Sequence, residues 1–262
     1  MSLVNLTLFF YVAAMAFALM FGGVRKTVLF WISIALATIG FAAQTIYLAY
    51  GWGAEGYPPA ANLNELFRIT AWAILALYLA LYPATRSRIL VFFLMPFVTL
   101  VYFGGCFIVP DPPVQSKPYY FTAWFAVHIL LLVFGMAFFF LSFLYAAIFI
   151  MQDHSLRYHH GPSPLPIPSL EEAERWSSRL LLLGYPFFTL GIFSSALYGI
   201  LHGGKSNYHP GLIESASILA WIVLGAAIYG WFSARVHPRR RAWLVVAGAA
   251  FSVLIILGIV WH

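Results

Sequence analysis

The stretch that decides the fold is PYYFTAWFAVHILLLVFGMAFFFLSFLYAAIFIMQ, residues 118–152, which carries no formal charge between Lys117 and Asp153. A helix rises 1.5 Å per residue and roughly 20 apolar residues cross a bilayer, so this run is longer than one crossing and must tilt or overhang. It contains a single histidine, His128. Counted from Tyr119, His128 lies on the order of 13 Å along the helix, in the half of the bilayer nearer the helix start. An ionisable side chain at that depth is costly unless it faces a partner, a cavity or a ligand, which makes His128 the first functional candidate.

The rest of the composition agrees with that run. The chain has 262 residues, of which 63% are hydrophobic and 8% charged, with a mean hydropathy of +0.88. Soluble domains are about a quarter charged, so this is an integral membrane protein. Long apolar segments broken by Gly, Pro and Arg argue for helices and against a barrel of short alternating strands. The opening MSLVNLTLFF has no basic start and no small-residue cleavage site, so the first span reads as retained. The one cysteine, Cys106, excludes an internal disulfide, a CxxC thiol pair and a CxxCH haem attachment site. On an apolar helix it reads as a small buried hydrophobe.

Apolar windows predict an all-α, polytopic transmembrane bundle of about eight spans, near 3–21, 28–50, 65–83, 88–109, 119–151, 179–201, 212–234 and 242–261, within one integral membrane domain over 1–262. Basic residues fall in every second loop: Arg25 and Lys26, Arg86 and Arg88, Arg157, Arg175 and Arg179, then Arg235 and Arg239 to Arg241. By the positive-inside rule both termini face outward, and the net charge of +6 is a topology signal that calls for no nucleic acid. The outer loops are then 51–64, 110–118 and 202–211. No internal repeat stands out, and no span is broken by paired Gly and Pro, so a secondary transporter ranks behind other readings.

Two loops carry local signals. In GYPPAANLNELFRITAW, the two prolines force an extended entry, Asn62 is a good N-cap, and Glu65 is placed to complete a capping box. Glu65 and Arg68 lie three apart on one helix face and could pair near the membrane surface. In the cytoplasmic loop, Ser169 and Glu172 read as a second capping box, opening an amphipathic lead-in to span six. His159 and His160 are adjacent in that loop, but two neighbouring histidines without a third ligand read as a solvated segment.

The residues Pro59, Asn62, Glu65 and Trp72 resemble the P-x-x-N-x-x-E…W pattern of the CcsA-like cytochrome c assembly superfamily. Trp124 and His128 are similar to that family's Trp and histidine, and Pro168, Leu170, Gly184, Pro186, Thr189 and Gly191 match a further element. Trp221 and the last two spans complete a likeness that covers about residues 51–258. The family's Trp-rich WWD loop has no counterpart here, since HGGKSNYHPGLIESASILAW reaches no Trp before Trp221. That moves the resemblance toward the HemX/YpjD-like branch.

The resemblance implies a multi-pass protein of the cell (inner) membrane that handles haem in c-type cytochrome assembly, and it points away from catalysis of haem attachment. The implied cofactor is non-covalent, b-type haem. His128 is the expected iron ligand, with His209 as a second candidate; Asn62, Glu65, Arg68 and Trp124 complete the expected haem-binding set. Haem iron takes axial imidazoles in an apolar slot while its propionates reach cations, here Arg68, Lys117 or Lys205. His202, His262 and Glu214 are weaker candidates. Implied partners are other membrane subunits of an assembly system and apocytochrome c. The alternative is a HemX-like regulatory or scaffold subunit without haem transfer.

Overall fold

The computed structural model describes residues 2–108, 122–157, 167–202, 212–233 and 236–260, with side chains except at 199, 202, 212–214 and 252–260. The helices are α1 (Leu3–Val24), α2 (Thr27–Glu55), α3 (Leu63–Thr85), α4 (Leu90–Phe103), α5 (Ala123–Arg157), α6 (Leu170–His202), α7 (Leu212–Phe232) and α8 (Pro238–Val260), with a π-helical turn, Gly104–Ile108, continuing α4. No strand occurs among the described residues. Among the described residues, seven segments are long and apolar enough to cross a membrane, one from each of α1 to α7. The chain is therefore a polytopic helical membrane bundle.

The helix ends follow from residues visible in the sequence. Ser2 caps α1 by accepting the Asn5 amide. Asn62 accepts the Glu65 amide at 3.0 Å, and Glu65 accepts the Ala61 amide at 2.8 Å. Ser169 and Glu172 form the reciprocal box, each side chain accepting the other's backbone N–H at 3.2 Å. That box starts α6 at Leu170, so the amphipathic lead-in and span six are one continuous helix. α5 starts at Ala123, which puts His128 in its second turn.

The helices form two compact units, α1 to α4 and α5 to α8. Within the first, the basic turns α1–α2 and α3–α4 meet, with Arg88 Nη1 donating to Thr27 Oγ1 at 3.2 Å. Within the second, three arginines open α8, where the helix dipole disfavours cations. Acidic groups on neighbouring helices offset them: Asp153 of α5 lies 3.7 Å from Arg239, and Glu174 of α6 pairs with Arg241.

The two units repeat one plan, which overturns the expectation of no repeat. Ser33 donates to the Ala14 carbonyl at 2.8 Å, and Ser177 to the Ser142 carbonyl at 3.0 Å. A Cβ on Gly40 would meet Phe10 Cβ and the Tyr11 ring; one on Gly184 would meet Phe138 Cβ and the Phe139 ring. Trp72 donates its indole N–H to Thr45 at 2.9 Å and stacks on Phe41, while Trp221 donates to Thr189 at 2.9 Å and stacks on Tyr185. Both threonines return their own proton to the carbonyl four residues back, at 2.7 Å.

One register along each helix pair accounts for all of these. Ser33, Gly40 and Thr45 of α2 match Ser177, Gly184 and Thr189 of α6, and Phe10, Tyr11 and Ala14 of α1 match Phe138, Phe139 and Ser142 of α5. LNELFRITAWAIL, residues 63–75, then aligns with LIESASILAWIVL, residues 212–224, sharing Leu, Glu, Ile, Ala, Trp and Leu. The repeat is hidden in the sequence because its invariant points are small or aromatic residues scattered through an apolar background. They are the places where helices touch most closely, which in a bilayer requires small side chains and interhelical hydrogen bonds.

Candidate functional site

His128 packs on α6 in the second unit. Its Nδ1 lies 3.0 Å from the Gly191 carbonyl oxygen and 2.9 Å from Ser194 Oγ. A carbonyl only accepts, so this contact needs the proton on Nδ1. The Ser194 hydroxyl has the same carbonyl as an acceptor at 2.8 Å, which leaves its oxygen able to accept from Nδ1. With the proton on Nδ1 the imidazole donates to Gly191 and Ser194, and the lone pair is on Nε2. No partner for Nε2 occurs among the described residues.

Trp124 stands one turn earlier on the same face of α5. Its indole N–H donates to the Ser194 carbonyl at 3.0 Å, and its ring lies 6.3 Å from that of Tyr198. Trp124 and His128 thus hold the first two turns of α5 against one short piece of α6. The approach depends on Gly191, where a Cβ would run into Leu132 Cδ2. Farther along, Gly135 of α5 lies on the Phe188 backbone, and Ser142 and Ser177 exchange hydrogen bonds. Such an interface fixes the rotation of α5, and with it the direction of the imidazole.

The other expected site residues lie in the first unit. Asn62 and Glu65 are engaged in the cap of α3, as above. Arg68 is 8% exposed and does not pair with Glu65, as its charge had allowed. Instead Nη1 donates to Tyr47 Oη at 2.6 Å, Nε donates to the Asn64 carbonyl at 3.3 Å, and the guanidinium lies 5.3 Å from the Tyr47 ring centre. Glu65 is turned back along its own helix toward Ala61, which removes it as a partner. Among the described residues no carboxylate stands within ion-pair distance of Arg68.

A buried hydrogen-bonded chain runs beside it: Tyr11 donates to Gln44 Oε1 at 2.5 Å, and Gln44 Nε2 donates to the Arg68 carbonyl at 2.7 Å. Tyr11 and Gln44 are fully buried. The sequence reading missed this chain and missed Ser194. A serine three residues after a glycine, within the block that resembles the assembly family, was the nearest signal. His209, Lys117, Lys205, His159, His160 and His262, and the side chains of His202 and Glu214, lie outside the described residues. Among the described residues no three His, Cys, Asp or Glu side chains gather to hold a metal ion.

Residues 60–262 match the family described as Cytochrome C assembly protein. The chain belongs to that family. It is similar to Protein HemX of Brevibacillus brevis, with 28% identity over 80% of this chain and 76% of the relative. It is also similar to the Cytochrome c biogenesis protein CcsA of Prochlorococcus marinus strain MIT 9312, with 23% identity over 96% of this chain and 89% of the relative. Protein HemX of Bacillus subtilis strain 168 is 25% identical over 64% of this chain and 60% of its own length. No solved structure matches the chain.

Proposed function

We propose that this membrane protein holds or passes non-covalent, b-type haem during the assembly of c-type cytochromes, on the outer side of the cell membrane, with His128 Nε2 as an axial donor. The observation that carries the reading is the contact of His128 Nδ1 with the Gly191 carbonyl at 3.0 Å, which a proton on Nδ1 satisfies. Histidines that ligate metals nearly always donate their other ring N–H to a carbonyl, a carboxylate or water, and His128 Nδ1 does so to Gly191. The residues present thus fit one axial position of a haem iron. Haem, when bound, supplies an iron with open axial positions and is the group a c-type cytochrome must receive.

Within the second unit, Trp124 fixes the same turn of α6, its indole N–H donating to the Ser194 carbonyl. His209 is the second candidate ligand. In the first unit, taken by itself, Arg68 is a buried cation and Asn62 and Glu65 set the start of its helix; these three remain proposed haem-binding residues through the family resemblance. The basic loops, taken as cytoplasmic, set the start of α5 on the outer side. Proposed partners are the membrane subunits of an assembly system and the apocytochrome.

The test is a purification in mild detergent from haem-replete cells. The wild type is expected to show a Soret band that His128→Ala loses with folding intact. A colourless wild type that also fails to take up haem on titration removes the haem reading and leaves a scaffold or regulatory subunit, in keeping with its likeness to the HemX proteins.

A further inference from the structure

We infer that Ser194 is a positioning residue that, together with the Gly191 carbonyl, fixes the ring of His128 and reserves Nε2 for iron; the inference rests on the haem reading above. Free histidine side chains favour the Nε2–H form, which has its lone pair on the wrong nitrogen for this geometry. Two acceptors converge on Nδ1 here, the Gly191 carbonyl at 3.0 Å and Ser194 Oγ at 2.9 Å. Ser194 is itself held at both ends, its hydroxyl donating to Gly191 and its carbonyl accepting from Trp124. With its own proton directed to the Gly191 carbonyl, the hydroxyl orients the ring as an acceptor.

The repeat separates this arrangement from mere packing. In the shared register Gly191 corresponds to Tyr47 and Ser194 to Tyr50. The first unit therefore folds with large side chains at both positions, and Tyr47 turns its hydroxyl to Arg68. Gly191 and Ser194 are small where the first unit carries tyrosine. Their common property is a pair of oxygens aimed at one imidazole nitrogen.

The test uses the full chain, labelled with ¹⁵N-histidine, in detergent without haem. In the wild type His128 should show its proton on Nδ1 and none on Nε2. Ser194→Ala should let a measurable Nε2–H population appear, and should weaken binding of ferric protoporphyrin IX roughly tenfold, the low end of the loss seen when a ligand's outer partner is removed. Ser194→Thr, which keeps the hydroxyl, should restore both. A wild-type His128 with its proton on Nε2, or a Ser194→Ala protein with unchanged tautomer and unchanged affinity, overturns the inference. A wild type with the expected tautomer that takes up no porphyrin overturns the haem reading instead, and the iron-positioning role with it.

Discussion

At one and the same place in their four-helix plan, the first unit joins Tyr11 to Gln44 by a hydrogen bond and the second sets Phe139 edge-on against Phe188, with ring centres 5.2 Å apart. The scaffold around them is shared. Ser33 and Ser177, Gly40 and Gly184, and the two Trp–Thr clamps make the same contacts in each unit. What differs is where each unit keeps its polar groups. The first buries Tyr11, Gln44 and Arg68, with Tyr47 half-buried beside them, in a chain that ties α1, α2 and α3 together. The second makes those positions apolar or small and places its polar contacts where α5 meets α6, at Trp124, His128 and Ser194. One plan thus carries a structural network in one copy and, in the other, an imidazole whose Nε2 has no partner among the described residues.

The largest effect expected from breaking this comparison is at Gly135, whose register partner is Thr7. A Cβ on Gly135 would lie 2.9 Å from the Phe188 backbone nitrogen, and backbone cannot swing aside. Gly135→Ala should therefore destabilise the protein by about 2–3 kcal/mol, near the upper end for overpacked cores, in a mixed-micelle unfolding titration. Thr7, by contrast, already carries a side chain, which donates to the Leu3 carbonyl, so Thr7→Ala should cost under about 1 kcal/mol. Equal effects at the two positions would mean that the close approach of α5 and α6 is not special to the second unit.

Next comes the buried chain. Gln44→Leu strands the Tyr11 hydroxyl and should cost about 1–3 kcal/mol. Combining it with Tyr11→Phe makes the pair apolar, as in the second unit, and should cost clearly less than the two single changes added together, by about 0.5–3 kcal/mol of coupling. Strict additivity in the same titration would show that the two units do not offer interchangeable solutions here. The smallest effects belong to the shared clamps. Trp72→Phe and Trp221→Phe each remove one interhelical hydrogen bond of 2.9 Å and should each cost about 0.6 kcal/mol. Markedly unequal losses would break the equivalence.

The sequence disclosed the helices and their ends because charge, proline and capping residues are local signals. Asn62 with Glu65 and Ser169 with Glu172 act as their spacing predicts. The likeness to the assembly family was legible too, since Trp124, His128 and the residues from Pro168 to Gly191 stand in short, ordered blocks. The repeat was not. A handful of Ser, Gly, Thr and Trp positions tells nothing until the helices are seen in contact, and the intervening apolar residues are free to change wherever they face lipid. The pairing of Glu65 with Arg68 failed for a related reason: three-residue spacing permits a contact, but the cap of α3 and Tyr47 offered each group a nearer partner. Ser194 was invisible because its role depends on a ring from another helix.

The central claim is that His128 presents Nε2 as an iron ligand, and the direct measurement is a ferric protoporphyrin IX titration of purified His128→Gly with and without added imidazole. The glycine variant should lose the Soret and visible bands of the wild-type complex, and free imidazole, entering the space left by the side chain, should restore them. Bands that survive His128→Gly unchanged without imidazole would contradict the claim.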